Sequence, residues 1–122
     1  MKLTTLKLLT LLFLVGCSKP MDITELNSVQ LKVGEKVSYR YKKHSSVGFD
    51  AEYAISDQTI LKLVAEKTEF DKPSKKGMSG GDSATGYFIF HALKEGEVTV
   101  TVKQLYRGEL EAEQIIKMVV RS

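Results

Sequence analysis

The chain has one cysteine, Cys17, which excludes an internal disulfide framework. It has two histidines, His44 and His91, and with no further cysteine beside them they offer no zinc-ligand spacing. Tryptophan is absent, so the Cys-Trp-Cys hallmark of antibody domains is missing. An excess of one charge sign is lacking as well. The formal net charge is +3, and without Lys2 and Lys7 16 basic residues face 15 acidic ones. A nucleic-acid binder needs a more concentrated basic face. Enzyme signatures are missing too. Gly81-Asp82-Ser83 continues as Ala84-Thr85, and Thr85 stands where a nucleophile elbow needs glycine. Glu109, Glu111 and Glu113 alternate along one stretch as a solvated face does. No catalytic residue, metal or cofactor is expected.

What is present suits a small folded domain. Apolar residues make up 43% of the 122, enough for one core and one domain. The first sixteen residues read as a targeting signal, with Lys2 and Lys7 at its positive end and an apolar centre from Leu8 to Val15. That centre is too short for a permanent membrane helix. Leu14-Val15-Gly16-Cys17 resembles the lipobox of bacterial lipoproteins, in which the cysteine is acylated and becomes the new N-terminus. The resemblance implies removal of 1–16, a lipidated Cys17 with a tether over 17–27, and a domain over 28–122. It also implies membrane attachment, which two or three acyl chains make durable. Ser18 after the cysteine, rather than aspartate, implies the outer membrane of a bacterial envelope, facing the periplasm or the exterior. With Cys17 lipidated, no free thiol remains.

The remainder is dominated by period-two alternation, the signature of half-buried strands. Val29–Val33, Val37–Tyr41 and Phe49–Ile55 alternate, with Val37, Tyr39 and Tyr41 on one face and Tyr53 and Ile55 inward. Ile60–Ala65 is densely apolar and reads as a strand, with a short helix as the rival. Glu66–Thr85 is polar and long for a loop, and such loops are usually functional or mobile. It carries Lys72, Lys75 and Lys76, and then the glycine-rich Gly77-Met78-Ser79-Gly80-Gly81. Strands follow at Tyr87–Ala92 and Val98–Lys103, around a tight turn at Lys94–Glu97. A further loop comes at Tyr106-Arg107-Gly108, and a last strand holds Ile116, Met118 and Val120. About seven short strands without a helix predict an all-β, immunoglobulin-like β-sandwich. A small barrel is the alternative.

Three segments resemble the loops of chagasin-like inhibitors of papain-family cysteine peptidases. His44-Ser45-Ser46-Val47-Gly48-Phe49 stands for a loop that reads Asn-Pro-Thr-Thr-Gly-aromatic in that family, and matches it at Gly48 and Phe49. Met78-Ser79-Gly80-Gly81 matches a Gly-x-Gly-Gly loop at its glycine pair, with Gly77 one residue early. Arg107 matches the arginine of an Arg-Pro-Trp loop, whereas Gly108 and Glu109 replace the proline and the aromatic. Tyr106 is a candidate stand-in for that aromatic. The resemblance covers most of the domain in layout and is best over Lys76–Arg107.

It implies a monomeric, lipid-anchored inhibitor that reversibly occludes the cleft of a papain-like peptidase with three loops. Those loops are Ser45, Ser46, Val47, Gly48 and Phe49; Gly77, Met78, Ser79, Gly80 and Gly81; and Tyr106, Arg107, Gly108 and Glu109. The alternative is an immunoglobulin-like binding or structural lipoprotein of the envelope with no peptidase target.

Overall fold

A computed structural model describes residues 19–71 and 83–122. The expected signal segment, Cys17 and the Gly77–Gly81 loop lie outside the described residues. The described chain forms eight strands: β1 Met21–Asp22, β2 Ser28–Lys32, β3 Lys36–His44, β4 Phe49–Ile55, β5 Leu61–Phe70, β6 Ser83–Ala92, β7 Gly96–Tyr106 and β8 Glu109–Arg121. A single 3₁₀ turn, Ser45–Val47, joins β3 to β4.

Hydrogen bonding runs in the order β2-β8-β7-β4-β3-β6-β5, with β1 added to β3. The link between β3 and β4 is one residue pair, His44 with Phe49. The path folds at that corner into two layers, β2-β8-β7-β4 and β1-β3-β6-β5. Side chains from both layers meet in one core: Val37, Tyr39, Phe88 and Phe90 from one side, and Val98, Val100, Val102, Ile116, Met118 and Val120 from the other. This is the immunoglobulin-like sandwich that the alternation predicts.

Packing between the layers is aromatic where β4 crosses β6. The Tyr53 ring meets Phe88 and Phe90 edge-on at centroid separations of 5.2 and 5.6 Å. Tyr41 stacks on Phe88 at 4.5 Å. Tyr39 spans the layers and donates its hydroxyl to Gln114 Oε1 at 2.7 Å. A buried hydroxyl needs such a partner. Burial pushes both tyrosine hydroxyls up, Tyr41 to about 12 with help from the negative charges of Glu66 and Asp50.

The described chain departs from the sequence reading in three places. The long polar segment is shorter than Glu66–Thr85, because β5 runs on to Phe70 and β6 begins at Ser83, with Phe70 paired to Ala84 and Glu69 to Thr85. The strand expected to end at Lys103 continues to Tyr106, and the last strand begins at Glu109. The tether drawn to residue 27 overlaps the folded domain. Ile23 is fully buried, and its N–H donates to the Ser38 carbonyl at 2.9 Å. Beside it, Arg40 Nε lies 2.7 Å from Asp22 Oδ2, and the Arg40 N–H donates to Thr24 Oγ1 at 2.9 Å.

Candidate functional site

Strand register gathers the site at one end of the sandwich. His44 pairs with Ser83 and with Phe49, Phe70 pairs with Ala84, and Phe49 pairs with Tyr106. The ends of β3, β4, β5, β6 and β7 therefore meet at the same pole. Three connections begin and end there: 45–48, 72–82 and 107–108.

The first connection is a compact bend. Gly48 closes it in the left-handed region at φ 90°. Its N–H donates to the His44 carbonyl at 2.9 Å and to the Ser45 carbonyl at 3.2 Å. Ser45, Ser46 and Val47 face solvent, while Gly48 and Phe49 are half-buried behind them.

The third connection is a two-residue hairpin turn. Arg107 at φ 54° and Gly108 at φ 82° are both left-handed, and Tyr106 pairs with Glu109 around them. Two positive values suit a primed turn, whose twist matches that of the strands. Arg107, Gly108 and Glu109 are exposed.

These two bends are joined. The Arg107 N–H donates to the Gly48 carbonyl at 2.9 Å. A Cβ on residue 48 would lie 3.0 Å from Arg107 Cγ and from Arg107 N, a tight contact, and the left-handed φ itself favours glycine there. Phe49 and Tyr106 add a ring contact at 4.7 Å. Lys42 Nζ lies 4.3 Å from the Phe49 centroid, and Arg107 Cζ lies 5.2 Å from the Tyr106 centroid. Lys42, Phe49, Tyr106 and Arg107 thus form a continuous cation–aromatic–aromatic–cation column. Tyr106 is half-buried in this column, where it supports the bends from behind. The residues at the front of the turn are Arg107, Gly108 and Glu109.

The flanks of the middle segment are also fixed. The Asp71 N–H donates to the Ser83 carbonyl at 2.9 Å, and Ser83 Oγ donates to Asp71 Oδ2 at 2.6 Å. Gly77, Met78, Ser79, Gly80 and Gly81 fall between these flanks, outside the described residues.

Sequence reasoning missed the Lys42 contact and the Gly48–Arg107 contact. Neither has a local signal, since the first spans a corner and the second joins residues far apart in the chain. Among the described residues no group of His, Cys, Asp and Glu side chains could hold a metal ion. Among them, too, no helix is long and apolar enough to cross a membrane.

No protein-family model matches this chain. No curated protein matches it in sequence. Solved structures match it in fold. It is similar to the cysteine protease inhibitor EhICP2 from Entamoeba histolytica, with a TM-score of 0.62 and 15% identity, over 77% of this chain and 86% of that one. It is also similar to amebosin, with a TM-score of 0.60 and 13% identity, over 85% of this chain and all of that one. Likenesses of this kind establish a common fold.

Proposed function

We propose that the chain is a proteinaceous inhibitor of papain-like cysteine peptidases, held at a bacterial envelope by lipid on Cys17. One observation carries the reading. Two hydrogen-bonded bends and the flanks of a third segment stand together at one pole of a sandwich, in a fold shared with a protein described as a cysteine protease inhibitor.

A papain-like enzyme holds its thiolate and histidine in a narrow groove. An inhibitor must fill that groove without offering a peptide bond in attack geometry. Ser45–Val47 and Arg107–Glu109 supply exposed surface on either side of a join that is already made before docking. Preorganisation of this kind lowers the entropic cost of association. The Gly48 carbonyl is engaged by Arg107, which holds that backbone in place. In the middle segment, Gly80 and Gly81 would let backbone approach where a side chain would clash. Three loops on one pole could reach the roughly 800 Å² per partner of a stable interface. The aromatic anchor of a full-motif Arg-Pro-Trp loop is replaced by Gly108 and Glu109, so binding is expected to be weaker or differently selective.

The test is steady-state inhibition of a panel of papain-like peptidases. At least one should be inhibited reversibly, and replacing Gly80 and Gly81 together by tryptophan should abolish the effect while the fold melts as before. Undiminished activity across the panel at micromolar protein would refute the reading and favour an envelope binding module. Attachment is tested separately by Cys17→Ser, which should move the protein from the membrane fraction to the soluble one. Retention on the membrane would count against the lipid.

A further inference from the structure

The two outer faces of the sandwich differ in charge. Residues paired across strands point to the same side, so register fixes the outer face of the β1-β3-β6-β5 layer. Three rows cross it. Lys36, His91 and Lys62 form the first, Ser38, Ile89 and Ala65 the second, and Arg40, Tyr87 and Lys67 the third. Its lysines and its arginine are exposed. Among the described residues Asp22, beside Ser38, is the one carboxylate in these rows, and Arg40 holds it at 2.7 Å. Four cations less one carboxylate leave +3. Glu66 pairs with Phe88 and so belongs to the core side. Glu35 turns back to accept from the Lys32 N–H at 2.7 Å.

The excess is confined to one half of this face. Nearer the loop pole, the row of Lys42, Thr85 and Glu69 is balanced. The outer face of the other layer is balanced too, with Asp50, Glu52, Glu97 and Glu113 against Lys32, Lys103, Lys117 and Arg121. A face kept only for solubility intersperses both signs in that way. Lys36 and Lys62 instead flank His91 with no acid in the row. Among the described residues no carboxylate pairs with Lys36, Lys62 or Lys67.

Strand β1 puts the anchor at the cationic half. It runs parallel to β3 and pairs Met21 with Val37, beside Lys36 and at the end of β3 remote from His44. Ser18, Lys19 and Pro20 alone separate Met21 from Cys17. Four Cα steps reach about 14 Å at full extension. A lipid on Cys17 therefore keeps the cationic rows near the bilayer, where each lysine or arginine adds attraction to anionic headgroups.

We propose that the outer face of the β1-β3-β6-β5 layer lies on an anionic lipid surface, through Lys36, Lys62 and Lys67. The proposal takes the lipid on Cys17 from the reading above, whereas the charge of the face stands without it. The acyl chains supply the hold and the face supplies the orientation. The bends at 45–48 and 107–108 then sit at the end of the strands remote from the anchor, clear of the attachment point. At +3 the face is small for a nucleic acid.

The experiment labels lysines of the chain purified from membranes with a water-soluble amine-acylating reagent. One sample sits on vesicles of phosphatidylglycerol mixed with phosphatidylcholine, the other on phosphatidylcholine alone. The mass of the N-terminal peptide reports separately whether Cys17 carries lipid. Lys36, Lys62 and Lys67 should label about tenfold more slowly on the anionic vesicles, and high salt should remove the difference. Lys103 and Lys117, on the other face, should label alike on both. Lys36→Glu with Lys62→Glu should abolish the protection of Lys67 at an unchanged melting midpoint, and Lys103→Glu with Lys117→Glu should preserve it. An unlipidated chain that still shows the difference would retain the face and remove only the anchor. Equal labelling on both vesicles, or protection of Lys103 and Lys117 instead, would overturn the proposal. Equal protection by a soluble acidic polysaccharide would overturn it in favour of a glycan.

Discussion

Single residues fix the pole of the sandwich more tightly than their chemistry suggests. Gly48 accepts a hydrogen bond from Arg107, and a Cβ there would crowd that residue at 3.0 Å. Gly48→Ala therefore meets both a left-handed backbone and a steric conflict. It should destabilise the fold by about 1–3 kcal/mol, seen as a lower melting midpoint. Inhibition should fall further than stability accounts for, because two bends are displaced together. A wild-type melting curve would contradict this account of the join. Tyr41 acts differently. Its ring lies on Gly86, where a Cβ would sit 2.2 Å from Tyr41 Cζ. Its hydroxyl is pushed up from 10.0 to about 12. A folded value above the unfolded one means stability is intact below pH 10 and is lost as pH rises toward about 12. The melting midpoint should fall across that window, and less steeply in Tyr41→Phe. Equal slopes in the two proteins would remove Tyr41 as a source of the alkaline loss.

Elements differ in how far the sequence reveals them, and the cause is burial on one face or two. The strands that carry Val37, Tyr39 and Tyr41, or Val98, Val100 and Val102, have one face in the core and one toward solvent, so their alternation is plain. The far end of β5 has no such signal. Glu66, Lys67, Thr68 and Glu69 lie on an edge strand with both faces largely exposed, and polar composition there reads as loop. At the start of β6 the buried positions are Ala84 and Gly86, too small to register as apolar, because the Tyr41 ring fills the space above Gly86. β1 is only two residues long and follows a proline, so its sequence reads as a tether. Its place in the domain can be tested. Ile23→Ala should cost about 2–5 kcal/mol of stability, as a buried truncation does. A negligible change in urea midpoint would return residues 19–27 to the tether. Asp22 gives a second handle. Burial acts to raise its carboxyl, but hydrogen bonds from Thr24 and the Arg40 charge outweigh this and hold it below its ordinary 3.8. The stabilisation it gives β1 is therefore present above that value and is lost as pH falls through the lower folded one.

At the scale of the whole molecule, the sandwich works as a frame. Its two layers share one core, and they are bent about a single corner pair at His44 and Phe49. That corner brings the end of β3 beside the start of β4, and the register of β6 and β7 brings their loop ends to the same place. The alternation of the strands made the layers legible. The meeting of the 45–48 and 107–108 bends has no local signal, since nothing in Gly48 or Arg107 announces the other. The most direct measurement compares capture of a papain-like peptidase with an open cleft and of the same enzyme with its thiol carrying a covalent group that fills the cleft. The account predicts that immobilised protein retains the open enzyme and loses the filled one. Equal retention of both forms, or of neither, would contradict it.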